Sequence, residues 1–216
     1  MKKIIALVTI TVFILMLAGC AAGNSGSDSK TETKAASAKA SEESKAADKT
    51  SAANNDTDNS SKTLVVYFSA TGTTKGVAEK IVSALNADVC EITAAQPYTS
   101  NDLNYNDSDS RATREQNDKN VRPELGGEAI SLDGYDTVYI GFPIWWGEEP
   151  RIMDTFVESC DFSGKTVIPF CTSGSSSIDN AGENLKENAG GGDWKDGKRF
   201  SADVSQSDIE EWLNSL

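Results

Sequence analysis

The sequence predicts an α/β domain in which a parallel sheet carries helices on both faces, and three observations lead there. Thr63–Phe68, Asp136–Phe142 and Lys165–Cys171 are short, almost wholly apolar runs, as strands covered on both faces must be. Each is followed by a segment whose apolar residues recur at helical spacing. Strands alternating with helices imply right-handed crossovers, which put helices on both sides of one sheet. The expected architecture is a three-layer sandwich around a five-stranded parallel sheet.

The elements follow in order. After the strand Thr63–Phe68, a helix presents Val77, Ala78, Ile81, Val82 and Leu85 to the sheet, and Asp88–Thr93 reads as the second strand. The stretch from Ala94 to about Asp133 is long, polar and largely aperiodic. Loops of that length are uncommon in a compact domain, so it reads as a functional lid, with a decorated surface loop as the alternative. Tyr98, Tyr105, Arg111, Arg114 and Arg122 give it aromatic and bidentate groups. Pro150 opens a helix with Ile152, Met153, Phe156 and Val157 on one face, and Glu148 and Glu149 suit its positive end. A helix follows the strand Lys165–Cys171 at about Ile178–Glu187. A weak fifth strand is placed near Arg199–Ala202, and a last helix begins around Ser205 with Ile209, Trp212 and Leu213 facing the sheet.

Upstream of this domain, Met1-Lys2-Lys3 and the apolar run Ile4–Leu17 form a charged n-region and an h-region, an export signal too short for a membrane span. It ends in Leu17-Ala18-Gly19-Cys20, which resembles the bacterial lipobox, whose cysteine is diacylated; the alternative is an ordinary signal peptide ending near a cysteine. On the lipobox reading, residues 1–20 are a signal ending at Cys20, the two acyl chains suffice for stable attachment, and the protein is a membrane lipoprotein on the extracytoplasmic face. Residues 21–61 contain no aromatic or large aliphatic side chain and cannot bury a core, so they read as a disordered tether. Residues 62–216 have the size and apolar content of one domain.

The chain carries 20 Lys+Arg against 33 Asp+Glu, net −13, and because the signal and tether charges cancel, the whole excess lies on residues 62–216. That argues against nucleic acid and for a basic protein partner or simple solubility. The sequence has no histidine, which removes Ser-His-Asp hydrolysis, Cys-His catalysis and most zinc chemistry, and no metal site is expected. Cys90, Cys160 and Cys171 form no C-x-x-C pair and read as buried free thiols, with a Cys160–Cys171 disulfide as the alternative.

Ligands of open parallel sheets bind beyond the carboxyl ends of the strands. Three loops at such ends are unusual. The first, Ser69-Ala70-Thr71-Gly72-Thr73-Thr74, is hydroxyl-rich and opens a helix, where free N–H groups and the positive dipole end favour an anion. It has neither a Walker lysine nor the G-x-G-x-x-G spacing, so a monophosphate fits better than a nucleoside triphosphate or a dinucleotide. The second, Pro143-Ile144-Trp145-Trp146-Gly147, offers two tryptophans for stacking on a flat ring. The third, Thr172-Ser173-Gly174-Ser175-Ser176-Ser177, offers N–H and hydroxyl donors to ring carbonyls and nitrogens. Phosphate joined to a large planar heterocycle describes FMN.

These three segments, with Tyr67-Phe68 before the first, Gly141-Phe142 before the second and Phe170-Cys171 before the third, resemble the flavodoxin family, in particular a branch with a Pro-Ile-Trp-Trp-Gly loop. The resemblance spans Lys62–Leu216. It implies a sheet of order 2-1-3-4-5, with Ser69 to Thr74 holding the FMN phosphate and Pro143 to Gly147 and Thr172 to Ser176 holding the isoalloxazine. The third loop lacks the aromatic residue that many flavodoxins stack on the outer ring face, which leaves that contact to Tyr98, to Tyr105 or to no residue.

Three functions stay open at this point. One is a membrane-tethered electron carrier serving a redox partner protein, with the Trp146–Gly147 peptide free to turn a carbonyl toward the flavin N5. Another is an FMN-dependent NAD(P)H:quinone-type oxidoreductase reducing a small acceptor such as a quinone. The third is a flavin-free interaction module.

Overall fold

The structure is a computed structural model and describes residues 62–216. The export signal, the lipobox with Cys20 and the tether lie outside the described residues.

Twelve elements follow one another: β1 Thr63–Phe68, α1 Thr73–Leu85, β2 Asp88–Ala94, α2 Arg111–Asn117, β3 Leu125–Gly126, β4 Thr137–Pro143, α3 Arg151–Glu158, β5 Thr166–Thr172, α4 Asp179–Ala189, β6 Asp193–Trp194, β7 Lys198–Phe200 and α5 Gln206–Leu213. The strands form one mixed sheet of order β3-β2-β1-β4-β5-β6, with β7 also paired to β5. All ladders are parallel except β2 with β3.

Alternation along the strands divides the core in two. Val65 and Tyr67 face Val77, Ala78 and Ile81 of α1 and Ile209 and Trp212 of α5, whereas Leu64, Val66 and Phe68 belong with Ile152, Met153, Phe156 and Val157 of α3 and Ala181 and Leu185 of α4. The three layers are therefore α1/α5, sheet and α3/α4. Close approach is tightest at Gly141 of β4, where a Cβ would lie 2.2 Å from the Phe170 ring of β5.

The expected order 2-1-3-4-5 is present as β2-β1-β4-β5-β7, but the count of five strands is corrected to seven among the described residues. One addition is β3, from the insertion, which pairs Leu125 with Ala94 and Gly126 with Thr93 at the sheet edge. The other is a split of the fifth strand. Val167 pairs with Trp194 and Phe170 with Lys198, so three residues, 195–197, oppose the two residues 168–169. The cause is Pro169, in step with Val167, whose carbonyl accepts from Lys195 N–H; proline has no N–H to donate on that side, and the partner strand bulges past it.

The insertion is more ordered than its polarity suggests. It holds α2, capped by Ser110 Oγ, which accepts from Thr113 N–H, and it buries Ala112 and Leu132 against the α3/α4 core. All three cysteines of residues 62–216 are free thiols. Burial pushes the Cys171 thiol up to about 12.

Candidate functional site

The chain runs from β1 outward to β2 on one side and returns to β4 on the other, so strand order reverses between β1 and β4. At the carboxyl ends beside that reversal lies a cleft of about 390 Å³, within the range of small-ligand sites. Thr71 and Thr73 after β1, Pro143 to Trp146 at the end of β4, and Thr172, Ser173 and Gly174 at the end of β5 line it together. All three sequence-predicted loops thus reach one site. Ser69 and Ala70 line an adjacent smaller hollow, and Gly72, Thr74, Gly147, Ser175 and Ser176 do not line the cleft.

The first loop has the chemistry of an anion cradle. Gly72, the N-cap of α1, sits at φ +87, which glycine adopts without penalty. No side chain caps the helix and its first turn holds no acid, so its N–H groups and positive end remain available to an anion. Ser69 Oγ is buried without a hydrogen-bond partner in the protein, a cost that a bound acceptor removes. Thr71 and Thr73 place their hydroxyls 3.4 Å apart. Thr74 turns inward and shares a buried 2.7 Å hydrogen bond with Thr172 Oγ1, which ties the first loop to the third.

The second loop is a two-residue hairpin. Trp145 N–H donates to Glu148 O at 2.9 Å and Glu148 N–H returns to Trp145 O at 3.0 Å. Trp146 at φ +49 and Gly147 at φ +85 give the positive-φ pair of a type I′ turn. Glycine accepts this freely, but a bulky aromatic at positive φ is strained by about 1–3 kcal/mol, which points to a function for the outlier. The two tryptophans also part company. Trp145 is a core residue, edge-on to Phe68 at 5.7 Å and to Tyr98 at 5.2 Å between centroids, while Trp146 is 41% exposed. The expectation of a Trp pair on an exposed loop is corrected to one buried ring and one partly exposed ring, both on the cleft wall.

The insertion contributes Leu103, Tyr105 and Ala112 to the cleft, and Tyr105 stacks on Trp146. Its other aromatic and arginine groups do not line the cleft. Tyr98 donates to Glu115 Oε2 at 2.6 Å, with Arg111 4.0 Å over its ring. Arg114 donates to Asp109 O, and Arg122 pairs with Glu158 at 2.6 Å. Burial, then the bond to Glu115, raises the Tyr98 phenol well above its ordinary value.

Sequence reasoning missed four lining residues. Ser201 and Ala202 follow β7 and were reachable by the same carboxyl-end rule applied to the weak fifth strand. Leu103 and Ala112 are isolated apolar residues in a polar stretch and carried no periodic signal. The composition of the site suits a ligand with a phosphate at one end and a flat ring at the other. The residues present fit that pairing: an uncapped helix end and an orphan hydroxyl on one side, and a largely apolar, aromatic wall on the other.

A sequence model of the flavodoxin family matches residues 62–216. No curated protein matches the chain. Among solved structures, a protein of Bacteroides uniformis assigned as a flavoprotein is 48% identical, over 71% of this chain and 98% of that one, with a TM-score of 0.68. A second, from Bacteroides eggerthii, is 45% identical over 72% of this chain and 98% of that one, with a TM-score of 0.67. A flavoprotein of Lactobacillus acidophilus, solved in complex with FMN, is 27% identical over 71% of this chain and 99% of that one, with a TM-score of 0.54.

Proposed function

The chain belongs to the flavodoxin family, and from that premise we propose that it binds FMN in the cleft beyond β1, β4 and β5 and carries electrons as a membrane-tethered protein. The observation that carries the reading is the convergence of the three loops on one 390 Å³ cleft at the strand-order reversal. The FMN found in the Lactobacillus acidophilus flavoprotein supports it.

Bound FMN supplies reversible one- and two-electron chemistry. The chain's residues do the rest. The N–H groups at the start of α1, with the Ser69, Thr71 and Thr73 hydroxyls, hold the phosphate. Pro143 to Trp146 and Thr172 to Gly174 border the ring, and Trp146 with Tyr105 shields it from water. Gly147 lets the Trp146–Gly147 peptide change orientation at low cost, giving the site a backbone carbonyl that can accept a hydrogen bond. The acidic excess of the domain opposes added negative charge in the cleft and so lowers the potential for the second electron.

The lipobox-like Leu17-Ala18-Gly19-Cys20 and the polar stretch after it support attachment to the outer face of the cell membrane through a lipidated Cys20. The electron partner is then a redox protein or a small acceptor reachable from that face. A second reading, an FMN-dependent NAD(P)H:quinone-type oxidoreductase, is favoured by the insertion, which adds Leu103, Tyr105 and Ala112 to the cleft wall where a small acceptor would enter.

The visible spectrum of the purified protein after addition of FMN tests the core of the proposal. Flavin absorption that stays with the protein through gel filtration is expected, and colourless protein would leave only a flavin-free interaction module. Steady-state NAD(P)H oxidation with a quinone then separates the remaining readings, since rapid turnover without a partner protein would replace the carrier by the reductase.

A further inference from the structure

Behind the Trp145–Glu148 hairpin lies a buried polar cluster, Gln116, Glu149 and Arg151, that does not line the cleft. Gln116 of α2 is 9% exposed, and its Nε2 donates to Trp145 O at 3.1 Å and to Glu149 O at 3.0 Å. One amide thus grips the chain on both sides of the strained turn, at Trp145, which opens it, and at Glu149, one residue past Glu148, which closes it. Arg151 of α3, 2% exposed, braces the grip: it donates to Gln116 O at 3.3 Å, to Glu149 Oε1 at 3.1 Å and to the Glu148 carboxylate.

Two atoms of this cluster, Gln116 Oε1 and Arg151 Nε, are buried without a partner in the protein. Orphaned buried polar groups are costly, and an apolar side chain of similar volume would fill the space without that cost. Packing alone therefore does not favour glutamine at position 116. The hairpin does need something. Trp146 at φ +49 is held against its own preference, and two cross-strand bonds at the end of a two-residue loop are a weak restraint for a strained aromatic.

We infer that Gln116 is a positioning residue: by clamping the carbonyls of Trp145 and Glu149 it fixes the hairpin that presents Trp146, so the insertion sets the geometry of the flavin site from behind. This rests on the FMN reading of the cleft. It also gives the insertion a second role, since the same segment that supplies Tyr105 at the cleft mouth supplies the clamp behind the turn.

The test is Gln116→Met, which keeps the volume and removes both donors. Residue-resolved hydrogen exchange at the Trp145 and Glu148 amides of the FMN-free protein is expected to rise roughly tenfold, the loss of two neutral hydrogen bonds. FMN affinity should fall by a similar factor and the midpoint potentials should shift, while exchange in β1 and β4 stays as in the wild type. A purely structural glutamine would slow or speed exchange across the domain alike and leave the potentials unmoved. Gln116→Glu, which when ionised offers those carbonyls no donor, gives the same signature if Gln116→Met folds poorly. Unchanged exchange at the two hairpin amides in both variants overturns the proposal whatever FMN does. Wild-type protein that takes up no FMN would sink the cleft reading instead, and faster hairpin exchange would then still support the clamp.

Discussion

Tyr105 and Trp146 stack with ring centroids 4.4 Å apart and planes 31° from parallel, so a residue of the insertion and a residue of the β4–α3 hairpin form one aromatic wall on the cleft. Such a pair contributes about 0.5–1.5 kcal/mol beyond its area. Tyr105→Ala is therefore expected to weaken FMN binding by about two- to twelvefold in a fluorescence titration. The pair is already formed without the ligand, so the melting temperature of the FMN-free protein should fall as well, by about 1–6 °C.

Trp146→Gly should separate stability from function. Glycine at φ +49 releases about 1–3 kcal/mol of backbone strain, which offsets the lost Tyr105 stack and the added freedom of the unfolded chain, so the FMN-free protein should melt close to the wild-type temperature. FMN affinity should fall. Parallel losses in both measurements would mean that the tryptophan is held there by packing rather than for the ligand.

Much of this was legible because the signals are local. The apolar strands β1, β4 and β5, the helical spacing of α1 and α3 and the hydroxyl-rich loop after β1 all follow from residues close in sequence. What was illegible depends on partners far away. Trp145 is buried and Trp146 exposed because the turn sends neighbouring residues to opposite sides, which an adjacent Trp-Trp pair does not reveal. The helix α2 was hidden because, Ala112 apart, its buried face is polar: Thr113 bonds to Ser110 and Asp107, Glu115 to Tyr98 and Arg111, and Gln116 to the hairpin carbonyls, with no apolar stripe. The fifth strand read as weak because Pro169 on its neighbour breaks it in two.

Thr74→Val tests the link between the first and third loops. The Thr74 and Thr172 hydroxyls share one buried 2.7 Å bond, and removing one leaves the other unpaired at a cost of about 1–3 kcal/mol. For a domain of this size that lowers the melting temperature by on the order of 5 °C. Thr172→Val alone should cost about as much, and the double variant less than the sum of the two.

Glu149 gives the fold a dependence on pH. Burial first, then the negative charge of Asp154, pushes its carboxyl up to about 7, against hydrogen bonds from Asn184 of α4 and the Arg151 guanidinium. Arg122 lies 4.0 Å from Asp154 on the far side of the cluster. A carboxyl whose folded value is raised stabilises the native state fully below its unfolded value, and that stability is lost as pH rises through the folded value. Between about pH 4.5 and 7 the contribution of this group therefore declines. Glu149→Gln keeps the acceptor for Arg151 and removes the proton, so its advantage in melting temperature over the wild type should grow from pH 5 to pH 8. An advantage independent of pH would show that Glu149 is ionised throughout.

The central claim is that the loop after β1 holds a phosphate while the loops after β4 and β5 hold a planar ring, and paired titrations of the FMN-free protein with FMN and with riboflavin address it most directly. Two charge-assisted hydrogen bonds to phosphate, at about 1.5–3 kcal/mol each, correspond to FMN binding at least on the order of a hundredfold more tightly than riboflavin. Equal affinities for the two flavins, or none for either, would contradict the account.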